Sequence, residues 1–162
     1  MNYVIPLMFL LVYISKIPLG YSDTSPLYTH FTYMLQHASL IHLTLNTISF
    51  LSFFAILKKV INPCLLTAYA YTAALIASFL SIHPKPTVGA SGMIYALIAI
   101  YITLTLKGKK MAITDKRKYI LWLIFLILST AITALSPNIN NLNHLSAFLI
   151  GIIFGIIENH RK

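Results

Sequence analysis

Residues 61–106 read INPCLLTAYAYTAALIASFLSIHPKPTVGASGMIYALIAIYITLTL, and this stretch decides the fold class. Two apolar runs, about 61–82 and 90–106, flank the turn His83-Pro84-Lys85-Pro86-Thr87-Val88. Lys85 is the one charged residue in the whole stretch. A helix crosses a bilayer with ~17–25 apolar residues. The stretch therefore reads as two crossing helices joined by a proline-punctuated turn.

Working outward, four further runs follow the same rule, at about 3–19, 40–57, 119–136 and 142–158. The first lacks the basic residues that open a signal peptide, so cleavage is not expected there. The composition agrees: 58% of the 162 residues are hydrophobic and 9% are charged, with a mean hydropathy of +0.81. A soluble domain is ~25% charged, and a chain of this size could not hide so much apolar surface from water. The expectation is an all-α, six-span membrane bundle.

The net charge is +9, from 12 basic and 3 acidic residues. In a soluble chain that would point to nucleic acid. Here the basic residues sit between apolar runs and form no basic face, so no nucleic-acid partner is expected. Lys58, Lys59, six basic residues in 107–118, Arg161 and Lys162 fall on one side of a six-span chain. Lys16 and Lys85 are the exceptions. The positive-inside rule then places both termini in the cytoplasm and turns 20–39, 83–88 and 137–141 outward. The sorting fits a bacterial or archaeal inner membrane, or an organelle. Segment 20–39 is too polar to span, and its Tyr28, Phe31 and Tyr33 suit the membrane interface. The single cysteine, Cys64, rules out an intramolecular disulfide and a cysteine metal cluster.

Polar groups inside spans are costly and are functional candidates by default. His42 and Asn46 lie four apart on one helix face. They read either as donors to an oxyanion or as hydrogen-bonding glue between helices. Gly89-Ala90-Ser91-Gly92 opens a span where backbone N–H groups lack helical partners. Ser91 there reads as a nucleophile beside an oxyanion site or as a capping serine. His144 opens the last span, and Ala147, Gly151 and Gly155 continue its face as a small-residue seam. Gly92 and Ala96 make a matching strip beside Ser91. Packed together, the two seams would bring Ser91 and His144 to similar depth, where the histidine would activate the serine. Without that coincidence, His144 is a histidine at the end of a packing face. Tyr95 lies one turn below Ser91, as support for an imidazole or as an ordinary buried tyrosine.

The acidic residues narrow the chemistry. Asp23 and Asp115 lie in loops and Glu158 at the far cytoplasmic end. An aspartic mechanism and an H-E-x-x-H zinc site are both excluded. A carboxylate-based ion relay has no residues to run on. For an enzyme, a serine–histidine dyad remains, with the loop residue Asp23 as the one conceivable third member.

Taken together, the chain resembles the rhomboid family of intramembrane serine proteases. The stretch His37-Ala38-Ser39-Leu40-Ile41-His42-Leu43-Thr44-Leu45-Asn46 looks like the family's H-x-x-x-N motif with its histidine-rich entry. Gly89-Ala90-Ser91-Gly92 with Tyr95 looks like its G-x-S-G motif, and His144 with Gly151 and Gly155 like its last-span pattern. The resemblance implies a single rhomboid-like transmembrane domain over residues 1–162. It implies Ser91 as nucleophile and His144 as general base. His42, Asn46 and the Ser91 N–H would form the oxyanion hole, and Tyr95 would pack under His144, with Gly89 supporting the turn. It implies transmembrane protein substrates, a lipid bilayer as surroundings, and no metal or nucleotide cofactor. The fifth span, with Trp122 and Phe125, would be the substrate gate. Three positions depart from the family: Tyr28-Thr29 stands where Trp-Arg is frequent, Ala147 replaces a glycine, and Asn143 replaces a small apolar residue before the histidine. Other readings are an inactive rhomboid-like binder of membrane proteins, which would lose the serine or histidine, and a small transporter or channel.

Overall fold

The computed structural model describes residues 3–107, 120–121, 124 and 139–161. Among these residues the chain is helical, with one isolated antiparallel bridge between Tyr21 and Thr87. The helices are α1 (Val4–Ser15), α2 (Thr29–Thr32) followed by a 3₁₀ turn (Tyr33–Leu35), α3 (Leu40–Leu57), α4 (Pro63–Leu80), α5 (Ser91–Leu106) and α6 (Asn141–His160). The fifth apolar run, 119–136, with Trp122 and Phe125, lies outside the described residues apart from three isolated positions.

Local chemistry sets the helix ends. The Ser39 side chain accepts from His42 N–H and starts α3. Asn62 accepts from Cys64 N–H ahead of Pro63 and starts α4, and proline suits the first helical position because its missing N–H is not needed there. Asn140 accepts from Asn143 N–H and starts α6. The first helix is shorter than its apolar run. It ends where Lys16 turns left-handed, at φ 55°, and donates its N–H to Val12 O. Pro18 disfavours helix at the residue before it, so the run 3–19 yields 12 helical residues.

Among the described residues three helices are long and apolar enough to cross a membrane, Leu40–Leu57, Pro63–Leu80 and Asn141–His160, and α1 and α5 are shorter apolar helices. Large apolar side chains stand exposed along the outside, including Leu45 and Ile48 on α3 and Leu145, Leu149 and Ile153 on α6. Such contiguous exposure suits lipid as the outer solvent. By contrast α5 is buried nearly all round, from Gly92 to Leu104, and packs against α3, α4 and α6. Its 16 residues span about 24 Å, less than a hydrocarbon core of ~30 Å. Ser91 is the first residue of this short central helix.

The α5–α6 packing follows the small-residue seams. Ala147, Gly151 and Gly155 are all buried. A Cβ added at Gly151 would lie 2.6 Å from Ala96 O, and one at Gly155 would lie 2.7 Å from Thr103 Cβ. The seam thus continues on α5 past Ala96 to Ala99 and Thr103.

Candidate active site

The approach to Ser91 is built by a held turn. Tyr21 and Thr87 exchange backbone hydrogen bonds of 3.2 and 2.7 Å, and Gly89 N–H donates to Tyr33 O. Gly89 has φ 107°, a conformation open mainly to glycine. A Cβ there would also meet the His42 ring, 2.5 Å from Cε1 and 2.7 Å from Nε2. Ala90 occupies the cap of α5 without a side-chain bond, so Ser91 does not serve as a cap. Its Oγ lies 2.8 Å from His144 Nε2.

His144 sits in the first turn of α6. Its ring stacks on Tyr95, with centroids 4.5 Å apart and planes 7° from parallel. Its Nδ1 is buried and has no hydrogen-bond partner among the described residues. Asp23 is exposed, with its backbone N–H on His83 O, and is not a third member. Among the described residues no carboxylate joins the Ser91–His144 pair, and Tyr95 supports the imidazole from its face.

His42 and Asn46 line the same cavity of about 460 Å³ as Ser91, Tyr95 and His144. Ala38 N–H approaches His42 Nδ1 at 3.4 Å, which leaves Nε2 to carry the proton. Asn46 Nδ2 donates to His42 O at 2.8 Å, and its second amide hydrogen remains for the cavity. Among the described residues, the hydrogen bonds of both side chains stay within α3 and its lead-in, contrary to a role as glue between helices. The arrangement can supply a hydroxyl, an adjacent base and separate N–H donors to one small space.

Next to His42, His37 donates from Nδ1 to Leu35 O at 3.3 Å, and its Nε2 is buried without a partner among the described residues. Burial first, and the nearby His42 second, push the His37 imidazole down to about 4. It is therefore neutral around pH 7.

A polar cluster behind the site escaped the reading of the sequence. Asn140 Nδ2 donates to Ser81 O at 2.6 Å and to Tyr21 Oη and Thr87 Oγ1, both at 3.1 Å. Asn143 Nδ2 reaches Tyr21 Oη at 2.9 Å and Tyr33 Oη at 3.4 Å. Tyr33 donates to Ala74 O. Burial pushes the Tyr21 and Tyr33 hydroxyls above the usual phenol range, so both remain protonated. The available signal was the run of asparagines opening the last span, where polar groups need partners.

The search of curated proteins found no match to this chain. The family model for the Rhomboid domain matches residues 24–161, which takes in Ser91, His144, His42, Asn46 and Tyr95. The chain belongs to the rhomboid family.

Proposed function

We propose that this chain is an intramembrane serine endopeptidase that cuts transmembrane segments of other proteins with the dyad Ser91–His144. The carrying observation is the 2.8 Å contact between Ser91 Oγ and His144 Nε2, inside a cavity also lined by His42 and Asn46. The full architecture in this reading is a six-span bundle with both termini cytoplasmic, in a prokaryotic inner membrane, and the basic loops support that orientation.

In the reaction, His144 Nε2 accepts the Ser91 proton as Oγ attacks the scissile carbonyl carbon. The carbonyl oxygen becomes an oxyanion beside His42 Nε2–H, the free Asn46 amide hydrogen and the Ser91 N–H at the start of α5. Donors fixed in advance at that point lower the barrier because they need not reorganise as charge develops. The intermediate collapses, and the leaving amine takes the proton from His144. Water then attacks the acyl-enzyme with His144 again as base, releasing the acid and restoring Ser91. The substrate peptide bond must leave its helix to be attacked, so glycine or proline near the outer end of the segment favours cleavage.

The test is cleavage of a transmembrane reporter in proteoliposomes. The wild type is expected to cut it, and Ser91→Ala and His144→Ala to leave it intact. Cleavage surviving in Ser91→Ala would remove that residue as nucleophile.

A further inference from the structure

Among the described residues, something other than a carboxylate must aim the His144 imidazole at Ser91. Nδ1 has no hydrogen-bond partner among the described residues, and a stacked ring such as Tyr95 restrains tilt while leaving sliding and in-plane rotation open. The aim therefore depends on where α6 begins and how firmly its first turn is held. The residue before His144 is Asn143, and the residue after Ser91 is Gly92. A Cβ at Gly92 would lie 3.0 Å from Asn143 Oδ1 and 3.0 Å from Tyr33 Oη. Gly92 thus makes room for the Asn143 carboxamide and the Tyr33 hydroxyl beside the start of α5.

We propose that Asn143, gripped by the Tyr21 and Tyr33 hydroxyls against the bare face of Gly92, is a positioning residue that holds His144 in register with Ser91. This inference rests on the protease reading of the site. Tyr21 ties the two halves together. Its hydroxyl receives Asn143 and Asn140 of the α6 start, and its backbone is paired with Thr87, four residues before Ser91. Its ring stacks on His30, whose other face stacks on Phe79 of α4. The outer segment 20–36 thereby acts on the base through Asn143 without touching the reacting atoms.

The test uses full-length protein in lipid nanodiscs with ¹⁵N-labelled histidine imidazoles. Asn143→Ala should lower kcat for a transmembrane peptide by about ten-fold or more, because loss of alignment slows chemistry, while KM stays close to wild type. In the same variant the His144 Nε2 resonance should move to its position in Ser91→Ala, where the hydrogen bond is absent. Leu104→Ala, a destabilising control at the far end of α5, should leave both readouts at wild-type values. Tyr21→Phe removes one oxygen and keeps the ring, so it carries the same two readouts if Asn143→Ala does not fold. Wild-type kcat with an unmoved resonance in the folded variant would overturn the proposal. If the wild type cleaves nothing, the protease reading fails, and the resonance still decides whether Asn143 holds the imidazole.

Discussion

Replacing Gly151 with alanine tests whether the spacing of two helices sets the chemistry above them. The new Cβ would meet Ala96 O at 2.6 Å, Ala96 Cα at 2.8 Å and Ala99 Cβ at 2.8 Å. Two of these are backbone atoms of α5, and no rotamer change moves them aside. Carbon contacts settle near about 3.5 Å, so the helices must part by roughly 1 Å. Gly151 lies seven residues below His144, about 10 Å along the axis at the helical rise. A rigid shift of that size carries the contact between Ser91 Oγ and His144 Nε2 from 2.8 Å to roughly 3.8 Å, beyond hydrogen-bond range. Overpacking of this kind costs ~1–3 kcal/mol of stability, and a 1 Å misplacement slows the chemistry by ~10²-fold. The assay is the rate constant for fluorophosphonate labelling, read beside the thermal midpoint. Ile153→Ala, on the lipid-facing side of the same helix, should leave the rate unchanged. Wild-type labelling by Gly151→Ala would refute the coupling of seam to site.

Other consequences follow from the same geometry. Asn46→Ala should reduce turnover by ~10²–10³-fold if its free amide hydrogen meets the oxyanion, and an unchanged rate would remove it from that role. Tyr95→Phe keeps the stack on His144. Tyr95→Leu removes an aromatic pairing of ~0.5–1.5 kcal/mol and should label several-fold more slowly; equal rates in the two would exclude ring support. His37 has a folded value of about 4 against 6.5 for the free group, so the unfolded chain takes up a proton first as pH falls. Stability is full above about 6.5 and declines toward about 4. Thermal midpoints measured from pH 7 to pH 5 should fall, and His37→Leu should flatten the slope.

The long apolar runs and their polar interruptions made α3, α4, α5 and α6 legible to within about two residues. Each is a local pattern closed by a local device, such as Ser39, Asn62 or the turn before Gly89. The first run was overestimated because apolar character continues past Lys16, while the helix obeys the left-handed turn there and Pro18. At the site, the spacing of His42 to Asn46 and the two small-residue seams pointed to one cavity, since helix periodicity fixes which residues share a face. The cluster of Tyr21, Tyr33, Ser81, Thr87, Asn140 and Asn143 was hidden for the opposite reason. The bonds from its two asparagine side-chain amides join residues 53 to 122 positions apart, and no periodicity relates them. Asn143 stood out in the sequence as a departure from the family pattern, and its partners emerge once the chain is folded.

The central claim is that Ser91 is a nucleophile activated by His144 within the membrane domain. Its most direct test is labelling of the bilayer-embedded protein with a fluorophosphonate, followed by mass-spectrometric location of the adduct. The account predicts one adduct, on Ser91, absent from Ser91→Ala and lost in folded His144→Ala. A folded wild type that takes no label, or a label carried on another serine, would contradict it.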